Sequence, residues 1–272
     1  MRPVLVKRGV NRVSTGQRTP EQEFKLRLDA LDRDARAAAL IAYTSRSLHY
    51  IASQKPSLVK ALDRNAGFWN PVLGAMQTAS IVALGRIYDK TKGVLSAERL
   101  LEHATTYPGI FSRNALAARK IGRGLTTLQA AEYVATAFAP TTVDFDSLSQ
   151  ELEVHRSLYE ATIGPIRNNV AAHSGPITEE EMRDLFANVQ MVDFDKLVVF
   201  PLVLNNEMWQ LFENGNKPNL RPVESNIAVL TANPLGSNQL GLEHRYAIKH
   251  TAKFLEWLDS TMESDSFEEH DG

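Results

Sequence analysis

Apolar residues recur along this chain with the three-and-four spacing of helices, and almost nowhere with the alternation of strands. Phe24, Leu28, Leu31, Ala35, Ala38 and Ala42 form one such stripe, so a long helix buries a single face. Thr19-Pro20-Glu21-Gln22 marks its start: threonine caps, proline suits the first helical position, and Gln22 reaches back as a capping box. Ser53-Gln54-Lys55-Pro56 interrupts it near residue 53. Trp69, Val72, Met76, Ala79, Ala83 and Ile87 predict a second long helix, starting near Ala66 and closing with Gly85-Arg86-Ile87-Tyr88-Asp89. Shorter helices are expected at 95–106 and 111–120. Residues 121–143 read two ways: Gly122, Gly124 and the β-branched Thr141-Thr142-Val143 oppose a helix, while 126–138 permits one.

Asp144 to Ile163 reads as another helix, broken by Gly164-Pro165. Thr178-Glu179-Glu180-Glu181 repeats the capping-box signature for a helix over 179–189, and a further helix covers 193–213. The Asn-, Pro- and Gly-rich stretch 214–240 reads as a long loop with a short hairpin around Ile227-Ala228-Val229-Leu230. A last helix over 241–260 carries Phe254, Trp257 and Leu258. The pattern is all-α, an antiparallel helical bundle without internal repeats. It divides into a basic flexible arm over 1–18, a helical domain over 19–213, a loop and C-terminal helix packing on the bundle over 214–262, and an acidic disordered tail over 263–272.

Composition narrows the chemistry. The 272 residues are enough for a sizeable core, and 43% hydrophobic with 23% charged residues suits a globular protein. A net charge of -2 confines any nucleic-acid contact to a local patch. The absence of cysteine excludes disulfides and thiol catalysis and fits a cytoplasmic location. No apolar run reaches the ~18 residues of a membrane span, and the N-terminus lacks the apolar core of a signal peptide, so no membrane partner is expected.

Most candidate motifs fall away. His244 and His250 are six apart with no carboxylate in a metal-binding spacing, so they read as part of a surface helix, and neither metal nor cofactor is implied. Gly122-Arg123-Gly124 lacks the length and lysine of a phosphate-cradling loop. Asp144 and Asp146 read as caps. Arg86 and Asp89, three apart, suit an ion pair along a helix. Arg113, Arg119, Lys120 and Arg123 lie in a segment free of acids between Glu102 and Glu132. They are either a solvated face or a set of RNA-binding contacts to backbone phosphates.

The stretch Gly164-Pro165-Ile166-Arg167-Asn168-Asn169-Val170-Ala171-Ala172-His173-Ser174-Gly175-Pro176 stands apart. Arg245 and His250 have almost the same spacing as Arg167 and His173, so spacing alone is weak. The Arg167 copy differs in context. Pro165 starts a new turn, small residues let another helix approach, and Ser174-Gly175-Pro176 ends the helix behind the histidine. On an ideal helix six residues turn ~600° and rise ~9 Å, so Arg167 and His173 occupy flanking faces while Asn169 and His173 share one. A second copy across a dimer axis would complete such a half-site. A structural role is also open at this point: Arg167 pairing with an acid such as Glu160, and His173 capping the helix C-terminus.

Ile166-Arg167-Asn168 followed by Ala172-His173, with Leu84-Gly85-Arg86-Ile87-Tyr88-Asp89 upstream, resembles the HEPN superfamily, most closely its abortive-infection U-type branch, over residues 20–210. The resemblance implies a dimeric helical bundle acting as a metal-independent endoribonuclease in phage defence or toxin–antitoxin activity. Its RNA would be single-stranded or tRNA, with an antitoxin or defence-system partner. It casts Arg167 as stabiliser of phosphate charge, His173 as acid/base and Asn168 as orienter, with Asn169 among the RNA contacts. Products would be a 2′,3′-cyclic phosphate and a 5′-hydroxyl. The alternative it leaves is a non-catalytic RNA- or nucleotide-binding or dimerisation module.

Overall fold

The structure is a computed structural model and describes residues 18–171, 178–233 and 242–268. Among these residues every regular element is helical. Helix α1 (Pro20–Ser53) is the axis, about 51 Å long at 1.5 Å per residue. Its start is the expected capping box: Thr19 Oγ accepts from the Gln22 N–H, and the Gln22 side chain accepts from the Thr19 N–H. Phe24, Leu28, Leu31, Ala35, Ala38 and Ala42 are all buried. Phe24 lies 5.0 Å from Phe111 and 4.9 Å from Phe212, and the alanines beyond it let neighbouring helices come close.

Around α1 pack α3 (Ala66–Ile87), α4 (Ala97–Thr106), α9 (Met191–Asn214) and α11 (Leu242–Glu268). A short α2 (Pro56–Arg64), absent from the sequence reading, begins where Pro56 ends the expected pattern, because proline suits a first helical position as well as a stop. The expected stripe of α3 is buried only in its second half, at Ala83 and Ile87, whereas Ala79 is exposed. The segment read as 111–120 is a 3₁₀ turn, Pro108–Phe111, followed by α5 (Arg113–Gly122). The ambiguous stretch contains α6 (Thr127–Ala135), started by a Thr126–Gln129 capping box.

Three expectations about the second half change. Helix α7 (Thr142–Ile166) is not broken at Gly164-Pro165 but runs through it. Pro165 has no N–H to give the Ala161 carbonyl, and the helix answers by widening into a π-helical turn over Arg167–Ala171. The expected hairpin is instead α10 (Ile227–Ala232), because the Asn226 side chain accepts from the Ala228 N–H and caps a helix there. Helix α11 continues to Glu268, past residue 260, since no Gly or Pro interrupts it. Between these, α8 (Glu179–Ala187) starts on the expected Thr178–Glu181 box, and Asp144 caps α7 by accepting from the Thr141 N–H at 2.8 Å. Among the described residues no helix is long and apolar enough to cross a membrane. The basic arm up to residue 17 and the last four residues of the tail lie outside the described residues.

Candidate functional site

The last turn of α3 and the end of α7 meet, and the meeting explains the residues of both phrases singled out in the sequence. Leu84 and Ile87 enter the core. Gly85, between them, is buried inside a helix, where glycine costs about 0.5–1 kcal/mol against alanine. Space accounts for it. A Cβ at Gly85 would lie 2.6 Å from Arg167 Nε and 2.7 Å from Arg167 Cδ, so the missing side chain is the seat of the arginine.

Asp89 closes the other side of that seat. Helix α3 ends at Ile87, so Asp89 has left the helix and faces Arg167, with Oδ2 3.7 Å from Nη2. Its Oδ1 accepts from the Thr91 N–H at 2.7 Å. Arg86 pairs with Asp34 of α1 at 3.3 Å, not with Asp89, and Glu160 pairs with Lys90 and Arg156, not with Arg167. The Arg86–Asp89 expectation fails because Asp89 lies beyond the end of the helix, whereas Arg167 does pair with an acid, Asp89 in place of Glu160. Partial burial works to raise the Asp89 carboxyl, but hydrogen bonds from Thr91 and the charge of Arg167 outweigh it and hold the group below its ordinary value.

That depression has a sign. The contribution of Asp89 to stability is present above its unfolded pKa of ~3.9 and is lost as pH falls through the lower folded value. An Asp89→Asn variant therefore melts below wild type at neutral pH, and the gap closes as pH falls below ~3.9 and through the lower folded value. Melting curves over that range check this; a gap unchanged at acid pH contradicts it.

Tyr88 and Tyr159 form the wall behind the arginine. Their rings stack with centroids 5.2 Å apart. Pro201, inside α9, lacks the N–H that would bond the Leu197 carbonyl, and buried Tyr88 Oη donates to that carbonyl at 3.0 Å. Tyr159 Oη makes no well-formed hydrogen bond among the described residues. Burial raises its pKa, while the Arg167 guanidinium beside it pulls the other way. Arg167 itself keeps 34% of its side chain exposed.

Of the other residues named from the sequence, Asn168 is exposed on the π-helical turn. Asn169 is also exposed and donates to the Pro165 carbonyl at 2.9 Å. His173, with residues 172–177, lies outside the described residues. The basic run sits elsewhere, on and just after α5, which packs on α6 and α9, whereas the π-helical turn packs on α3 and α7. Arg119 bonds Glu21 at 2.6 Å and the carbonyls of Ile110 and Phe212, and lies over the Phe212 ring at 4.1 Å. Lys120 bonds Asn214, Arg123 pairs with buried Glu213, and Arg113 donates to the Ala137 carbonyl. These cations gather at the C-terminal end of α9, where carbonyls accumulate negative charge. His244, read as a surface residue, is turned into the core with its ring 5.8 Å from that of Tyr43, while His250 is exposed.

Sequence reasoning missed Gly85, Tyr159 and the true partner of Asp89. A glycine between core residues in a helix is the one local signal, since it marks a close approach.

An all-α bundle that seats an arginine at the end of a late helix defines the class. A family model, HEPN_AbiU2, described as AbiU2, matches residues 21–227, and the chain belongs to this HEPN family. The match ends at the start of α10, so α11 lies beyond it although it packs along α1. No curated protein and no solved structure matches the chain.

Proposed function

We propose that this chain is a metal-independent endoribonuclease, cutting RNA by attack of a ribose 2′-hydroxyl on the adjacent phosphate. The observation that carries the reading is the seat of Arg167. Gly85 gives up its side chain to it, Asp89 aligns it, and the guanidinium still keeps an exposed edge on a π-helical turn, a geometry frequent at functional sites. A fixed planar cation of this kind suits the equatorial oxygens of a phosphorane. His173 supplies the proton acceptor and donor, with an unperturbed pKa of ~6.5. Asn168 orients the phosphate, and Asn169, anchored by its amide nitrogen, offers its oxygen to the RNA. A second copy of the chain completes the site, so that the Arg167 and His173 of both face one cleft.

The more exposed members of the basic run, Arg113 and Arg123, present edges to backbone phosphates, while Arg119 and Lys120 brace α9 behind them. Membership of an abortive-infection family supports a role in phage defence or toxin–antitoxin activity inside the cell, with single-stranded RNA or tRNA as substrate. The test is incubation of both RNAs with the full chain in excess EDTA. Cleavage supports the reading. Retention of RNA without cleavage, weakening as salt rises, replaces it with a non-catalytic binding module.

A further inference from the structure

The helix face that seats Arg167 continues into a groove. A cavity of about 950 Å³ lies between α1, α3, α7 and α9, within the size range of small-ligand sites. Ile81, on its floor, is four residues before Gly85 and so on the same face of α3, and Ile166, also on its floor, directly precedes Arg167. The groove thus leads along some 16 Å of α3, from Asn70 to Ile81, and ends one turn short of the arginine.

Its lining is divided. Leu73, Ile81 and Ile166 make an apolar floor, and Tyr50, Asn70 and Gln77 make a polar wall. None of these three spends its side-chain polar atoms on another described residue. The Arg46–Asp195 ion pair at the edge is internally neutral.

We propose that this groove binds an unstacked nucleobase of single-stranded RNA, adjacent to the phosphate held by Arg167; the proposal rests on the ribonuclease reading. Apolar side chains take the flat faces of a base, and carboxamides match the donor and acceptor pairs on its edge. A tyrosine adds a stacking ring. A phosphate would call for free positive charge, and among the described residues the groove offers only Arg46, already paired with Asp195, and His49, whose Nδ1 is spent on the Ser45 carbonyl. A duplex is excluded as occupant because its bases are already paired and stacked.

Gly74 provides the test. It lines the groove, and a Cβ there meets nothing within 4 Å, so bulk added at this position fills groove space and not protein. Binding is measured with a short single-stranded 2′-O-methyl RNA, whose blocked hydroxyls prevent cleavage, and with copies carrying one abasic ribose at successive positions. Gly74→Phe is expected to weaken binding about ten-fold, the scale of one stacked base. An abasic ribose at one particular position should weaken wild type equally and Gly74→Phe hardly further. Unmodified RNA is tested for cleavage in parallel. If Gly74→Phe and every abasic copy bind as wild type does while cleavage persists, the groove proposal is overturned and the nuclease reading stands. If Gly74→Phe alters the oligomeric state but not RNA affinity, the groove is a protein interface and the proposal is likewise overturned. Neither binding nor cleavage by wild type overturns both.

Discussion

His173→Ala is expected to lower RNA cleavage by about 10²–10⁴-fold, the contribution of a positioned general acid or base. The hydroxyl that attacks has a pKa far above neutrality, so the step is slow unless a group near pKa ~6.5 takes its proton as the bond forms. The loss should fall on kcat, since in the proposed mechanism the histidine acts on the reacting atoms and not on remote parts of the RNA. Far-UV circular dichroism and the melting temperature should stay those of wild type. Single-turnover cleavage of a labelled RNA measures the effect. Equal cleavage by the variant removes the histidine from the chemistry.

Gly85→Ala should reduce cleavage by about 10–100-fold without unfolding the protein, part of the 10²–10³ that a charge-stabilising group contributes. The new Cβ would stand 2.6 Å from Arg167 Nε and 2.7 Å from its Cδ, and both atoms belong to a flexible side chain that can swing away. Alanine also favours a helix interior by about 0.5–1 kcal/mol over glycine. Stability should therefore stay within about 1 kcal/mol of wild type while the guanidinium loses its position. Combining Gly85→Ala with Arg167→Ala should add little to the loss from Arg167→Ala alone, because both act on one group. Full additivity, or unchanged cleavage by Gly85→Ala with Arg167→Ala inactive, contradicts the seat as a functional device.

The parts of the fold that local chemistry controls were legible. The Thr19 and Thr178 caps are four-residue events, and the α1 stripe declares itself by spacing. Helix α2 was lost because Pro56 reads equally as an end and a beginning, and α10 because Ile227 and Val229 suggest a strand until Asn226 caps them. The site was half legible. Both phrases stood out, but what joins them is three-dimensional: a vacancy at Gly85 and a carboxylate freed by the end of α3. The pairing expected of Arg86 with Asp89 assumed a helix that stops two residues too soon to hold it. The pairing within the basic run was hidden for a related reason. Its partners Glu21 and Glu213 lie about ninety or more residues away in sequence, so a cluster that looked unbalanced is paired in the fold. The π-helical turn was hidden because its i→i+5 spacing appears only once Pro165 has removed a donor.

The central claim is that a fixed arginine and a histidine cut RNA without a metal. Mass spectrometry of RNA fragments formed by the wild-type chain in excess EDTA tests it most directly. The account predicts fragments ending in 2′,3′-cyclic phosphates, with 5′-hydroxyls on the downstream pieces. Fragments with 3′-hydroxyl and 5′-phosphate ends, or RNA left whole, would contradict it.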